Sequence, residues 1–225
     1  ALDQFFILLG PDACKHIEVV AMDQFDGYYN STKQYCPNAT IVWDRFHLMK
    51  TFGDALNESR KDLHAEAYKG SPLQKNTAGL YRYIFLKKES RRTPTEKQHI
   101  DEVTAANKKF SQLEIIKERM FSFFDAQSET EAKSIFEEIG DWIWQAQFKP
   151  LMKWYINFER GWQTIKNYFL YKVTSSVSEG INNVIKTLKR KAFGYRNMDY
   201  FRLKIMQKCG YLNSKFITLN FEQWN

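Results

Sequence analysis

Three carboxylates stand where metal-dependent chemistry could use them: Asp23, Asp44 and Glu179. Asp23 closes the run Ile17-Glu18-Val19-Val20-Ala21-Met22, and Asp44 closes Thr40-Ile41-Val42-Trp43. Both runs are short, β-branched and continuous, which predicts strands buried on both faces. In open α/β sheets, ligands bind in the crevice at the carboxyl ends of strands. A carboxylate there can hold a hard cation, or it can simply cap the helix that follows. His47 comes three residues after Asp44, about one helical turn. It can ligate a metal, touch a substrate or orient another ligand; the plainer reading is a capping aspartate beside a hydrogen-bonded histidine.

Glu179 falls in the first turn of a predicted helix, Val177 to Lys191, where the helix dipole favours an anion by roughly 0.3–1 kcal/mol. Asn182, Asn183 and Lys186 share its face. Asparagine is a poor interior helix residue, so the pair argues against an idle solvated face. From Gly180 to Lys204 the bases Lys186, Lys189, Arg190, Lys191, Arg196, Arg202 and Lys204 face one acid, Asp199. This segment holds most of the formal net charge of +7. Lys186, Lys189, Arg190, Lys191 and Arg196, interleaved with Phe193 and Tyr195, suit contact with nucleic-acid phosphates, with affinity falling as salt rises. A solvated basic face is the alternative. No phosphate loop, G-x-G-x-x-G or H-E-x-x-H motif occurs, and no serine or cysteine has a triad-like setting.

The elements that must position these groups follow from periodicity. Leu2 to Leu9 reads as a helix ended by Gly10-Pro11. Strand 17–22, a helix from Tyr28 to Tyr35 and strand 40–43 make a βαβ unit, hence a parallel pair. From about Phe46 to Tyr171 the chain reads as helices only. One covers Leu48 to Tyr68. One starts at the capping box Thr93-Pro94-Thr95-Glu96 and runs on through Val103, Phe110 and Phe124. One starts at a second capping box, Ser128 with Glu131, and one at Pro150 runs through Phe169. Their aromatic stripes are predicted core. Glu89 to Arg92, polar and charged, is the predicted mobile tip. After the polar gap Thr174-Ser175-Ser176 come the helix bearing Glu179, a break at Gly194 and a last helix capped by Asn197.

The fold class expected is α/β and predominantly helical. Two short parallel strands do not make a stable sheet alone, so residues outside this chain are expected to complete it, and an open strand edge invites dimerisation. Cys14, Cys36 and Cys209 are few, odd in number and widely spaced, which excludes a disulfide framework or zinc ribbon and fits a reducing cytosol. No apolar run approaches the roughly 20 residues of a membrane helix. The start Ala-Leu-Asp, without Met, fits a fragment or a processed product.

Two blocks together resemble a known family. One comprises Val19-Val20-Ala21-Met22-Asp23, Tyr28-Tyr29, Pro37-Asn38-Ala39 and Ile41-Val42-Trp43-Asp44-Arg45-Phe46-His47. The other comprises Glu179-Gly180-Ile181-Asn182-Asn183-Val184-Ile185-Lys186 and Arg190-Lys191-Ala192-Phe193-Gly194-Tyr195-Arg196-Asn197. They resemble the insertion-sequence transposases of the ISL-three (ISL3) family, and the likeness covers nearly the whole chain. The resemblance implies a ribonuclease-H-like fold with an Asp-Asp-Glu triad. Residues 1–47 would be a partial core, 48–173 an all-helical insertion, and 174–225 the core's C-terminal helices. Asp23 would match the second Asp, Asp44 and His47 an Asp-x-x-His motif, and Glu179 the Glu. Only Asp3 and Asp12 precede Asp23, so the first Asp is expected upstream of this chain, which alone would not cleave DNA. The other assignment makes Asp23 the first Asp and Asp44 the second. The implied chemistry is DNA strand cleavage and transfer with two Mg²⁺ or Mn²⁺ ions, Asp23 and Glu179 being ligands and the basic segment holding DNA, in a bacterial cytoplasm. A non-catalytic nucleic-acid-binding module is the runner-up, and a helical interaction scaffold the third reading.

Overall fold

A computed structural model of the chain describes residues 2–210. They form two compact units, 2–174 and 175–210, described separately below.

The first unit opens with α1 (Leu2–Leu9) and α2 (Pro11–Lys15), followed by β1 (Val19–Met22), α3 (Asp26–Tyr35) and β2 (Thr40–Trp43). The strands pair in parallel, Val19 with Thr40 through Met22 with Trp43, as the βαβ reading requires. β1 begins two residues later than predicted, because α2 and the turn after it take up the chain as far as Glu18. Both faces of the pair are covered. Val19 and Val42 join the main helical core, while Val20 packs on a smaller cluster of Phe6, Cys14, Cys36 and Ala39. The outer edge of β2 is closed as well, since Asn167 Nδ2 donates to the Ile41 carbonyl at 2.8 Å. Among the described residues no strand pairs with β1 on its other side.

The long helix α4 (Arg45–Glu66) leads to α5 (Pro72–Asn76), α6 (Tyr81–Leu86) and a 3-10 turn at Glu89–Arg91. Then come α7 (Pro94–Ala106), α8 (Lys108–Phe123), α9 (Glu129–Ala146), α10 (Lys149–Arg160), α11 (Trp162–Ile165) and α12 (Asn167–Tyr171). Their aromatic stripes are core: Phe110, Phe123, Phe136, Phe158 and Trp162 are buried together, with Phe136 stacked on Tyr155 at 4.3 Å between centroids.

Four expectations need correction. The helix from Pro94 breaks at Asn107, whose extended backbone and Oδ1, accepting from the amides of Lys109 and Phe110, start α8 afresh. The helix from Pro150 ends at Arg160, where Gly161 leaves helical backbone at ψ 0°, and Trp43 packs so closely there that a Cβ would lie 1.9 Å from its Cζ3. The second capping box is half formed: Ser128 accepts from the Glu131 amide, but the Glu131 carboxylate turns to the Gln127 amide instead. Finally, Glu89–Arg92 is no loose tip. Arg92 is buried, donates to the carbonyls of Ile84 and Phe85 at 3.1 and 2.9 Å, and grips both oxygens of Glu114. The Glu89 amide is held by Glu118.

The second unit is a helical hairpin, α13 (Ser176–Lys191) and α14 (Met198–Cys209). α13 ends where Phe193 and Gly194 take left-handed backbone, and Asn197 caps α14 by accepting from the Tyr200 amide at 2.9 Å. Tyr195 stacks on Phe201 across the turn. Among the described residues no helix is long and apolar enough to cross a membrane, and the three cysteines are free thiols.

Candidate active site

Asp23 follows the last residue of β1 directly, and its side chain is 55% exposed. Asp44 follows β2 and is buried. The parallel register sets the two positions side by side at the carboxyl end of the pair, since Met22 and Trp43 are partners. Asp44 caps α4: its Oδ2 accepts from the His47 amide at 3.2 Å. That cap fixes the first turn of α4 and turns His47 back toward β1. His47 Nδ1 lies 3.9 Å from Asp23 Oδ2. The structure therefore joins three of the predicted residues in one corner, with distinct geometries. Asp23 presents its carboxylate outward, His47 stands beside it, and one oxygen of Asp44 caps the helix start. The capping reading of Asp44 is what the geometry contains, and it leaves His47 beside the strand-end carboxylate.

Arg45 anchors the same turn from its other side. Its guanidinium lies over the Phe124 ring at 5.2 Å, 3.6 Å from Asp125, and donates to the Tyr168 hydroxyl at 3.4 Å. The corner is thereby tied to the α8–α9 junction and to α12. Beside it opens a cleft of about 500 Å³ lined by Gln24, Asp26, Trp43, Thr51, Trp154, Asn157 and Arg160, among others. Periodicity had marked Trp154 only as core, and nothing in the sequence reading singled out Asn157 or Arg160.

In the second unit Glu179 lies in the first turn of α13, exposed, with Asn182, Asn183 and Lys186 also exposed. Lys189, Arg190 and Lys191 make up the last turn of α13, where cations favour the helix dipole, and Arg196 lies exposed beyond Gly194.

A divalent metal centre asks for more oxygen donors than this corner gathers. Asp23 and His47 supply one carboxylate and one imidazole, whereas Mg²⁺ prefers oxygen ligands throughout. Among the described residues no three His, Cys, Asp or Glu side chains come together to hold an ion. The corner by itself does not fit a two-ion centre.

The comparisons with known proteins agree with the strand-end blocks. A family model described as a transposase, the DDE type of ISL3, matches residues 1–205. The chain belongs to the ISL3 transposase family. It is 26% identical over 209 residues to the transposase for insertion sequence element IS1001 of Bordetella parapertussis, covering 89% of this chain and 50% of that protein. This ISL3 chain thus spans about half the length of the curated relative it matches. No solved structure matches it.

Proposed function

We propose that this ISL3 chain is part of the catalytic domain of a DNA transposase, and that the intact protein cleaves and joins DNA strands by phosphoryl transfer. The observation that carries the reading is the strand-end corner. The family-typical block from Val19 to His47 folds into a parallel βαβ pair that sets Asp23 at a strand end with His47 at 3.9 Å. A ribonuclease-H-like sheet, extended through the outer edge of β1, is the fold that would use such a corner. Residues 1–47 are then its partial core, 48–173 its helical insertion and the rest, to 225, its closing part, of which 211–225 lie outside the described residues; pairing of two copies is the competing use of that edge.

In this reading Asp23 is the second carboxylate of the triad and Glu179 the last, each a Mg²⁺ or Mn²⁺ ligand in the complete site. The first carboxylate comes from outside the sequence. The two earlier aspartates support that assignment: Asp3 sits on α1 accepting from Ser31, and Asp12 on α2 beside Lys15. When bound, the ions would activate the nucleophile and stabilise the leaving oxygen. The chain's own residues supply the rest. His47 braces Asp23, Asp44 holds His47 through the start of α4, and Lys186, Lys189, Arg190, Lys191 and Arg196 hold the DNA backbone.

The test is Mn²⁺-dependent nicking of supercoiled DNA by this chain and by the intact transposase. Activity in the intact protein, abolished by Asp23→Ala and by Glu179→Ala, is expected, with none from the chain alone. Salt-dependent DNA binding without nicking in either, unchanged by both substitutions, would instead support a non-catalytic DNA-binding module.

A further inference from the structure

We propose that the exposed face of α10 is a second DNA-binding surface, a basic track that leads a nucleic-acid backbone to the strand-end corner. The proposal rests on the transposase reading above and adds a surface outside the basic segment of α13.

Lys149, Lys153 and Arg160 are all exposed. On a 3.6-residue helix they fall within about 40° of one another, and the rise of 1.5 Å per residue spreads them over roughly 16 Å. One strand of B-form DNA presents a phosphate about every 3.4 Å along the axis, so the track spans about five. Asn157, also exposed, borders the stripe and adds a neutral donor suited to phosphate or sugar oxygens.

What separates this stripe from an ordinary solvated face is that three cations without carboxylate partners share one face of one helix. Elsewhere in the first unit, Lys61 pairs with Glu58, Lys109 with Glu66, Arg119 with Glu138, Lys133 with Glu137 and Lys166 with Glu129, while cations such as Lys33 and Lys75 stand singly on their helices. Among the described residues none of the three α10 cations lies within ion-pair distance of a carboxylate. The helix's own acid, Glu159, projects about a quarter turn away. It acts on Tyr155, on the side facing Glu137 and Asp141.

The track also has a destination. Arg160 and Asn157 line the same cleft as Gln24 and Asp26, and Gln24 directly follows Asp23. A backbone lying along α10 from Lys149 toward Arg160 therefore arrives beside the Asp23–His47 corner. Asp26 is the single acid in that lining and marks where the positive track stops.

The test is DNA binding by the full chain, followed by fluorescence anisotropy at salt from about 50 to about 200 mM. In the first variant Lys149, Lys153 and Arg160 are all changed to Gln, which keeps helix propensity nearly constant. A control variant, Lys33→Gln with Lys69→Gln and Lys75→Gln, removes the same charge from exposed positions elsewhere in the first unit. A third neutralises Lys189, Arg190 and Lys191. The α10 variant is expected to weaken binding about tenfold or more and to lower the salt slope by about 2 to 3, at roughly 0.9 per lost phosphate contact. The control should change the slope by less than about 1. Equal losses in the α10 and control variants would overturn the track. If the α13 variant weakens binding and the α10 variant does not, the track fails while the transposase reading stands. Absence of binding by the unmodified chain would overturn both.

Discussion

Replacing Glu114 by Gln removes one charge from a buried network whose other members keep theirs. Glu114 accepts from Lys117 Nζ at 3.0 and 2.9 Å and from Arg92 at both terminal nitrogens. The Lys117 and Arg92 side chains are 1% exposed, so neither cation can turn to water. Lys117 is otherwise held by the carbonyls of Phe85 and Lys87 at 2.9 and 3.0 Å and by Glu118 at 2.9 Å. Burial already pulls the Lys117 ammonium below its ordinary range, and Glu114 is the largest influence opposing that pull. After Glu114→Gln, Lys117 keeps only the partly exposed Glu118 carboxylate and Arg92 keeps only carbonyl partners. Removing one partner from a buried pair costs about 3–5 kcal/mol, a large share of the roughly 5–15 kcal/mol by which domains are stable. Urea denaturation followed by circular dichroism reads this directly: at about 2 kcal/mol per molar, the midpoint falls by roughly 1.5–2.5 M. Lys117→Met is the companion. It leaves Glu114 paired with Arg92, the Phe85 carbonyl still accepting from Arg92 and only the Lys87 carbonyl without its donor, a smaller loss of about 1–3 kcal/mol. A Glu114→Gln variant within about 1 kcal/mol of the parent, against the range expected for buried pairs, would refute the reasoning and mean that water reaches the network.

Three further outcomes follow from the packing. Gly161→Ala places a Cβ 1.9 Å from Trp43 Cζ3, so the indole must shift; the expected loss is about 1–3 kcal/mol, partly recovered with Trp43→Leu, and an unchanged unfolding midpoint would contradict it. Asp44→Ala should cost about 1 kcal/mol through the lost cap of α4 while Asp44→Asn costs little, as chemical denaturation would show; equal losses would mean the cap is not what Asp44 contributes. The Cys36 thiol is pushed up from 9.0 to about 11, first by burial and then by the Cys14 thiol. Its folded value lies above its unfolded one, so its contribution is full below about pH 9 and is lost as pH rises toward 11. The thermal midpoint should therefore fall less steeply across that window in Cys36→Ala, and identical profiles would contradict the assignment.

Much of the scaffold was legible because its signals are local. The two β-branched runs, the caps at Thr93 and Asn197 and the stop at Gly194 each rest on a few neighbouring residues, and each appears in the structure. The misreadings share another cause. The helices from Pro94 and Pro150 carry unbroken apolar periodicity, yet they break where a side chain intervenes: Asn107 bonds its own following amides, and Trp43, more than a hundred residues earlier, occupies the space beside Gly161. Glu89–Arg92 looked loose because charge usually marks solvent exposure; Arg92 is buried only because Glu114, twenty-two residues on, awaits it. At the site, spacing placed Asp23, Asp44 and His47 near the strand ends. It did not decide between a ligand and a cap for Asp44, because both place an aspartate immediately before a helix. The cleft was invisible for the same reason as Trp43 and Gly161: Gln24 and Arg160 meet only through the fold.

In the proposed site Asp23 acts at the strand end, while Asp44 caps the first turn of α4. Asp44→Asn separates the two roles, because asparagine caps a helix about as well as aspartate but carries no charge for a metal. The decisive measurement is the rate of Mn²⁺-dependent DNA nicking by the intact transposase carrying Asp44→Asn, set beside Asp23→Asn. Asp44→Asn is expected to retain most of the parent rate while Asp23→Asn abolishes it. Loss of nicking in Asp44→Asn, in a protein that still unfolds at the parent's midpoint, would contradict it and make Asp44 a member of the triad.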